Sequence, residues 1–409
     1  MTVHSIREFL GLRRSILGLL GMVILVGLGE KMAERFLPIY LMALGGGPIV
    51  IGLLNGLDNL LSALYSFPGG YLADRLGTRR SLVVFNLMAM VGFLIVVLIP
   101  TWQAVIVGAA LFLSWTAISL PATMGLVARA LPSAKRTMGV SMHSLVRRIP
   151  MALGPVIGGV FIGIWGERDG VRLAFVVALV LAAVALVIQQ RLIEDDRPAA
   201  DARSRPVAEK NPLRMWRLMP PALRHLLVAD ILIRFAEQIP YAFVVVWCMK
   251  VIAAPISAVQ FGMLTTIEMV VAFLIYIPVA WLADRGRKKP FVAVTFGFFT
   301  LFPLVLLVSD SFWILAFAFV VRGLKEFGEP TRKALIMDLA PEERKAGMFG
   351  LYYLVRDVIV SFAAFGGAFL WQASPAVNFL TAAACGLIGT LWFIWRGRDL
   401  PAPMRPSNS

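Results

Sequence analysis

Charged side chains are scarce in this chain. Only 15% of its 409 residues are Asp, Glu, Lys or Arg, where soluble globular proteins carry about a quarter. Hydrophobic residues make up 59% and the mean hydropathy is +0.80, which excludes a water-soluble globular protein. Cysteine is nearly absent: Cys248 and Cys385 both lie in apolar runs with no CxxC spacing, so they read as small packing residues and say nothing about redox compartment. The three histidines, His4, His143 and His225, form no metal-ligand spacing. No GxxxxGK[ST], GxSxG or HExxH is present, so neither an ATP-driven pump nor a hydrolase is supported. No metal and no organic cofactor are expected, and the chain is read as a non-enzyme.

What fills the chain instead is long apolar segments. Stretches able to cross ~30 Å of hydrocarbon as helices run over 15–44, 48–73, 80–100, 103–130, 137–165 and 171–192, then 223–251, 257–283, 290–309, 312–338, 346–372 and 376–396. The expected fold is all-α and integral to the membrane, with twelve transmembrane helices in two pseudo-symmetric six-helix bundles. The expected domains are 1–193, a polar cytoplasmic linker over 194–222, 223–398, and a cytoplasmic tail over 399–409. The first segment is too long for a signal sequence and carries charges midway, so it reads as a retained helix.

The two bundles are copies of one another. GGYLADRLGTRR, Gly69 to Arg80, recurs in weaker form as AWLADRGRKK from Ala280 to Lys289. Aligning Asp74 with Asp284 also brings Gly70 onto Ala280, Leu72 onto Leu282 and Asp58 onto Glu268. Further on, Pro121 and Pro132 fall on Pro330 and Pro341, and Leu145-Val146-Arg147 falls on Leu354-Val355-Arg356. A matched pair of acids inside apolar runs is informative because such residues are rare there, and the whole pattern is an internal duplication.

Basic residues collect on alternate connections. Arg7, Arg13 and Arg14 precede the first span, Arg75, Arg79 and Arg80 follow the second, and Arg129, Lys135 and Arg136 follow the fourth. The linker, Arg285, Arg287, Lys288, Lys289, Arg344, Lys345, Arg396 and Arg398 fall on the same side. The connections around Gly45, Trp102, Asp310 and Ser374 carry almost none, and the 166–172 turn balances Arg168 and Arg172 with Glu167 and Asp169. Both termini are therefore expected in the cytoplasm of a multi-pass protein of the plasma or inner membrane. The net charge of +15 is mostly this inside bias plus contact with anionic lipid. No compact basic domain exists for nucleic acid.

At this point the residues carry a family resemblance. Six plus six spans, a central linker and a loop matching G-x-x-x-D-R-x-G-x-R-R (Gly70, Asp74, Arg75, Gly77, Arg79, Arg80) resemble the major facilitator superfamily of secondary transporters. The resemblance implies a solute site near the midplane between halves and a loop cluster, with Asp284 and Arg285 in its second copy, that latches the cytoplasmic ends in the outward-facing state. On physical grounds Gly70 permits close helix approach, Gly77 a tight turn, and Asp74 an interaction with basic side chains or a helix N-terminus. The second copy departs from the pattern, with Ala280 for the first glycine and Gly286 one residue early. The run Pro150 to Gly159 resembles the GxxxGPxxGG signature of drug and proton antiporters in Gly154, Pro155, Gly158 and Gly159, with Pro150 where the first glycine usually lies. Generic small-residue packing is the alternative reading of that run.

Charges inside the spans are the expected site. Glu30 and Glu34 lie one turn apart with Lys31 and Arg35 beside them, and Asp58 sits about ten residues, or ~15 Å, from its outer end. Lys31 and Glu34 at i,i+3 also read as a structural ion pair. The tenth span carries Arg322, Lys325, Glu326, Glu329, Arg332 and Lys333 at helical spacing, facing a cavity or other helices. The i,i+4 pairs Arg322–Glu326, Lys325–Glu329 and Glu329–Lys333 are expected in part, with Arg332 and Lys333 fixing topology. The seventh span adds Asp230, Arg234 and Glu237. Arg147 and Arg356 need anionic partners, for which Asp58 and Glu34 in the first half and Glu268 and Glu237 in the second are the candidates, or an anionic substrate.

The mechanism expected on these terms is proton-coupled export by alternating access. At an embedded carboxylate, Glu34, Asp58, Glu326 or Glu329, desolvation and a nearby cation act in opposite senses, so substrate and proton compete. The alternative is a symporter importing an anionic or zwitterionic solute held by Arg147, Arg322 and Arg356. A non-transporting receptor or assembly factor on the same fold would show degraded loop motifs and a large extramembrane domain. A small-molecule substrate, a lipid bilayer and a monomeric state complete the expectation.

Overall fold

The computed structural model describes residues 14–113, 115, 119, 123, 146–193, 212–283, 287–341 and 345–399. Among the described residues every regular element is a helix. In chain order these are α1 (Arg14–Glu34), α2 (Leu37–Ala43), α3 (Pro48–Leu76), α4 (Thr78–Leu98), α5 (Trp102–Phe112), α6 (Arg148–Leu192), α7 (Pro212–Arg217), α8 (Pro221–Tyr241) and α9 (Val244–Val246). A π-helical turn over Trp247–Val251 follows, then α10 (Ala258–Ala283), α11 (Lys289–Leu307), α12 (Phe312–Leu324), α13 (Glu329–Leu339), α14 (Lys345–Ala373) and α15 (Pro375–Arg396). Seven helices among the described residues are long and apolar enough to cross a membrane, or eight if α8 and the bent segment Val244–Val251 form one span.

Local chemistry sets the ends of these helices. Gly77, at φ +83°, supplies the left-handed residue that lets α3 turn directly into α4. Gly166, at φ +79°, breaks α6 into the two helices expected around the 166–172 turn. The Ser374 hydroxyl accepts from the Val377 N–H at 3.1 Å, and Pro375 occupies the first turn of α15. Trp165, Trp313 and Trp395 are 51%, 78% and 72% exposed next to helix ends, where amphipathic rings mark a membrane–water interface.

Three expected continuous spans are interrupted, each time beside a proline. The span at 15–44 breaks after Glu34: Pro38 has no N–H to return to the Glu34 carbonyl, and Phe36 N–H bonds instead to Ala33 O at 3.0 Å. The span at 223–251 bends by 42° after Pro240. The span at 312–338 is cut between Leu324 and Glu329, because Pro330 cannot donate to Glu326 O. There the chain tightens into i to i−3 bonds, Glu326 N–H to Gly323 O at 3.2 Å and Glu329 N–H to Glu326 O at 3.3 Å.

The chain forms two compact units. The first comprises Met1–Arg205 with Ala242–Val251 and Pro255–Thr266. Within it α1 packs chiefly on α6, backbone to backbone: a methyl group at Gly158 would collide with the Met32 carbonyl, and one at Gly154 with Lys31. Gly159 meets Ala258, Gly262 meets Pro155, and the Thr266 hydroxyl donates to Ala152 O at 2.7 Å. The rings of Phe93, Phe112 and Phe175 meet in tilted contacts at 5.1–5.9 Å between α4, α5 and α6.

The second unit comprises Pro206–Tyr241, Ile252–Ala254 and Ile267–Ser409. Its core joins Leu223, Leu226 and Leu227 of α8 to Phe296, Leu335, Ile336, Met348, Tyr352 and Phe393. Met215 and Met219, from the stretch expected to be linker, are buried in that core. Asn378 is fully buried and donates to the carbonyls of Gly367 at 2.8 Å and Ile239 at 3.3 Å, tying α15 to α14 and to α8 just before its bend.

Candidate functional site

In the second unit the embedded charges form one continuous ladder. Arg322 Nε lies 3.2 Å from Glu268, Lys325 Nζ lies 3.6 Å from Glu268 and 2.6 Å from Glu237, and Arg234 pairs with Glu237. Arg234 also stands 4.0 Å from Glu329, which takes Arg332 at 2.7 Å and Lys333 at 3.4 Å. Arg332 pairs in turn with Asp230, which accepts from the Tyr352 hydroxyl at 3.0 Å and lies 3.3 Å from Arg356. Arg356 Nε closes the run on Asp357 at 2.7 Å.

The ladder explains how so many charges reside in apolar helices. Arg322, caged by the rings of Tyr241, Phe302 and Phe319 at 5.1–5.6 Å, is 3% exposed, and Glu268 is 1% exposed. Desolvating such groups is tolerable only when each meets an opposite charge with good geometry. Gly323 makes the approach possible, since any side chain there would meet the Glu268 carbonyl and Val271.

Several expected partners change. Arg356 meets Asp230 and Asp357, not Glu268 or Glu237. Of the three i,i+4 pairs, Glu329–Lys333 is formed, whereas Arg322 and Lys325 reach across to α10 and α8, because the break at 325–328 turns them off the axis of α13. Arg332 is no topology marker: it is 2% exposed and doubly paired, while Lys333 is half exposed. Glu326 lies in the turn between α12 and α13, half-buried. Asp230, Arg234, Arg332 and Tyr352 join the ladder although the sequence did not single them out as coupling candidates. The clue was the acid and base three to four residues apart on α8, Asp230, Arg234 and Glu237.

The first unit holds a smaller and less complete cluster. Lys31 pairs with Glu34, as the i,i+3 spacing predicts, and lies 3.2 Å from Glu30 Oε1. Lys31 also offsets the unfavourable placement of Glu34 at the carbonyl end of α1. Glu30 is 4% exposed and its Oε2 has no hydrogen-bond partner among the described residues. Asp58, half-buried on α3, stands within electrostatic range of Glu34, Lys31 and Glu30, yet makes no hydrogen bond or ion pair among the described residues. Arg147 is in range of Glu30 but forms no ion pair with Asp58 or Glu34.

The loop motif is partly visible. Gly70 lies within α3 and Gly77 makes the positive-φ turn. Arg75 and Arg80 are exposed, and Arg79 binds Gln190. The side chain of Asp74 and residues Asp284 and Arg285 lie outside the described residues. Gly154, Pro155, Gly158 and Gly159 form the small-residue face that α1 and α10 press against. In α14 Gly367 packs on the Ile239 carbonyl, while Gly366 has open space.

The sequence matches the Major Facilitator Superfamily over residues 19–255 and 226–409. An MFS-type transporter of Methanocaldococcus jannaschii is 21% identical over 378 residues, 90% of this chain and 91% of that protein. One of Bacillus subtilis is 24% identical over 201 residues, 48% of each chain. Among solved structures, a mutant of the nucleoside transporter NupG superposes with a TM-score of 0.79 at 12% identity, covering 94% of this chain and 100% of that one. The peptide transporter POT in complex with sulfate gives 0.73 at 15% identity and 94% of each chain. A bacterial homolog of the human lysosomal transporter Spinster, in an inward-facing and occupied conformation, gives 0.70 at 12% identity, covering 98% and 99%.

Proposed function

This chain belongs to the Major Facilitator Superfamily of secondary transporters, and on that premise we propose that it exports a small solute by alternating access in exchange for protons. The observation that carries the proton coupling is Asp58. It is an acid inside a span that, among the described residues, forms no ion pair, whereas Asp230, Glu237, Glu268 and Glu329 each have basic partners. Protonating one of those four would strand a buried cation, and breaking a buried pair from one side costs about 3–5 kcal/mol. Protonating Asp58 strands nothing. Glu30, with one oxygen unpartnered among the described residues, is the second acid able to exchange a proton, and a substrate arriving at this cluster competes with it.

Export is supported by the resemblance of the run Pro150–Gly159 on α6 to the antiporter signature, in which Gly154, Gly158 and Gly159 take the close approach of α1 and α10. The same reading places the protein in the plasma or inner membrane with both termini in the cytoplasm, in line with the distribution of basic residues. Import of an anionic or zwitterionic solute by proton symport is the second reading. It is supported by Arg147, an arginine without an ion-pair partner among the described residues.

The experiment is transport into proteoliposomes under an imposed pH gradient, screened with cationic drugs, amino acids, sugars and organic anions. Antiport predicts uptake driven by an acidic lumen, and symport by an acidic exterior. Asp58→Asn is expected to keep counterflow and lose gradient-driven accumulation. Accumulation retained in both Asp58→Asn and Glu30→Gln would remove the proposed coupling site.

A further inference from the structure

Arg79, the half-buried arginine of the loop motif, is held among the described residues by a glutamine and not by an acid. Arg79, in the first turn of α4, sends Nη2 to the side-chain oxygen of Gln190 and to its backbone carbonyl, both at 2.6 Å, and Nε to the same side-chain oxygen at 3.0 Å. Gln190 lies in the last turn of α6, so the guanidinium also sits where the free carbonyls of that helix concentrate negative potential.

The preceding residue completes the hold. Gln189 is fully buried, and its Nε2 donates to the Arg79 carbonyl at 2.8 Å. Its Oε1 accepts from Asn86 Nδ2 at 2.7 Å, and Asn86 Oδ1 accepts from the Trp115 indole at 2.8 Å. A chain of neutral hydrogen bonds thus runs from Trp115 through Asn86 and Gln189 on α6 to the backbone of Arg79. Each of these bonds needs one atom type in one place, which apolar packing does not demand.

We infer that Gln190 and Gln189 are positioning residues for transport: they clamp Arg79, and through it the Gly77 turn, to the end of α6. The inference rests on the transporter reading, in which this loop is a working part. Among the described residues the clamp pairs one guanidinium with a neutral amide and a backbone carbonyl, so salt screens it less than it screens an exposed ion pair. Its release requires movement of α4 relative to the end of α6.

The test places a reporter cysteine at Leu76, which is exposed, in a Cys248→Ser, Cys385→Ser background in nanodiscs and follows its labelling by a membrane-impermeant maleimide. Gln189 is wholly buried and its truncation endangers folding, so surface-exposed Gln190 carries the test. Gln190→Leu is expected to speed labelling about tenfold, the size of a lost hydrogen bond to a charged group. Arg79→Lys, which keeps the charge but not the fork, should match it, and the double variant should label no faster than either single one. Gln190→Glu should restore the slow rate at low salt and lose it at high salt, while the parent stays insensitive to salt. Additive effects in the double variant, or unchanged labelling in Gln190→Leu, would overturn the inference. Because labelling needs no substrate, a chain inert to every transport probe would sink the transporter reading and leave the clamp standing.

Discussion

Asp230 and Arg332 stand 102 positions apart in the chain and form an ion pair in which the side chains are 0% and 2% exposed. Asp230 is also the acceptor for Tyr352 and the neighbour of Arg356, so a single carboxylate joins α8, α13 and α14.

Replacing that carboxylate is expected to cost stability before it costs function. Asp230→Asn leaves Arg332 without one of its two acids and Arg356 beside a neutral amide, and removing one member of a buried pair costs about 3–5 kcal/mol. Thermal unfolding in detergent should show a large fall in Tm. Lys333→Ala, at the half-exposed rim of the same ladder, should fall within about 1 kcal/mol of the parent. Equal effects of the two would contradict the ladder as described.

Glu237→Gln and Asp58→Asn should part company in a fold-versus-coupling comparison. Glu237 takes both Lys325 and Arg234, so its amide should lower Tm. Among the described residues Asp58 has no such partners, so its amide should leave the unfolding free energy within about 1 kcal/mol of the parent, as for a site free of a named destabilising mechanism. Paired melting curves of the two variants in the same detergent settle it.

Gly158→Ala should destabilise by about 1–3 kcal/mol, because the added methyl group drives against a backbone carbonyl that no rotamer change can move aside. Gly366→Ala, with nothing within 4 Å, should be neutral or slightly stabilising. The contrast can be read from denaturation midpoints of the two purified variants.

Gly77→Ala forces a side chain into φ +83° at a cost of about 1–2 kcal/mol. Hydrogen exchange over residues 76–84 should rise in this variant, whereas exchange in α14 and α15 should not. Uniform loosening of the whole chain would count against a local role for the turn.

Spans, duplication and family pattern were legible because they depend on spacing within the chain: apolar length, basic connections, and Gly70 to Arg80 with its echo. The breaks were not, because a stripe such as Arg322, Lys325, Glu329 and Lys333 reads as one continuous face. The warning was Pro330, which belongs in the first turn of a new helix and not inside an old one. Asp230 is legible as an embedded charge but its partners are not, because its donors come from positions 332, 352 and 356, and only folding brings them together. In the first unit the acids were found from sequence alone, since Glu30, Lys31 and Glu34 are neighbours along the chain. That Asp58 and Arg147 each lack an ion pair among the described residues is set by the fold and not by spacing along the chain.

The contact of Gly158 with Met32 is to a peptide carbonyl and not to the methionine side chain. Every amino acid carries that same carbonyl, so no exchange at position 32 makes room for a larger residue at 158. A genetic screen that selects second-site suppressors of Gly158→Ala should return changes that shift α1 or α6 as whole bodies. Position 32 itself should stay silent in it, a pattern that distinguishes a backbone contact from the mutually compensating pairs formed between side chains.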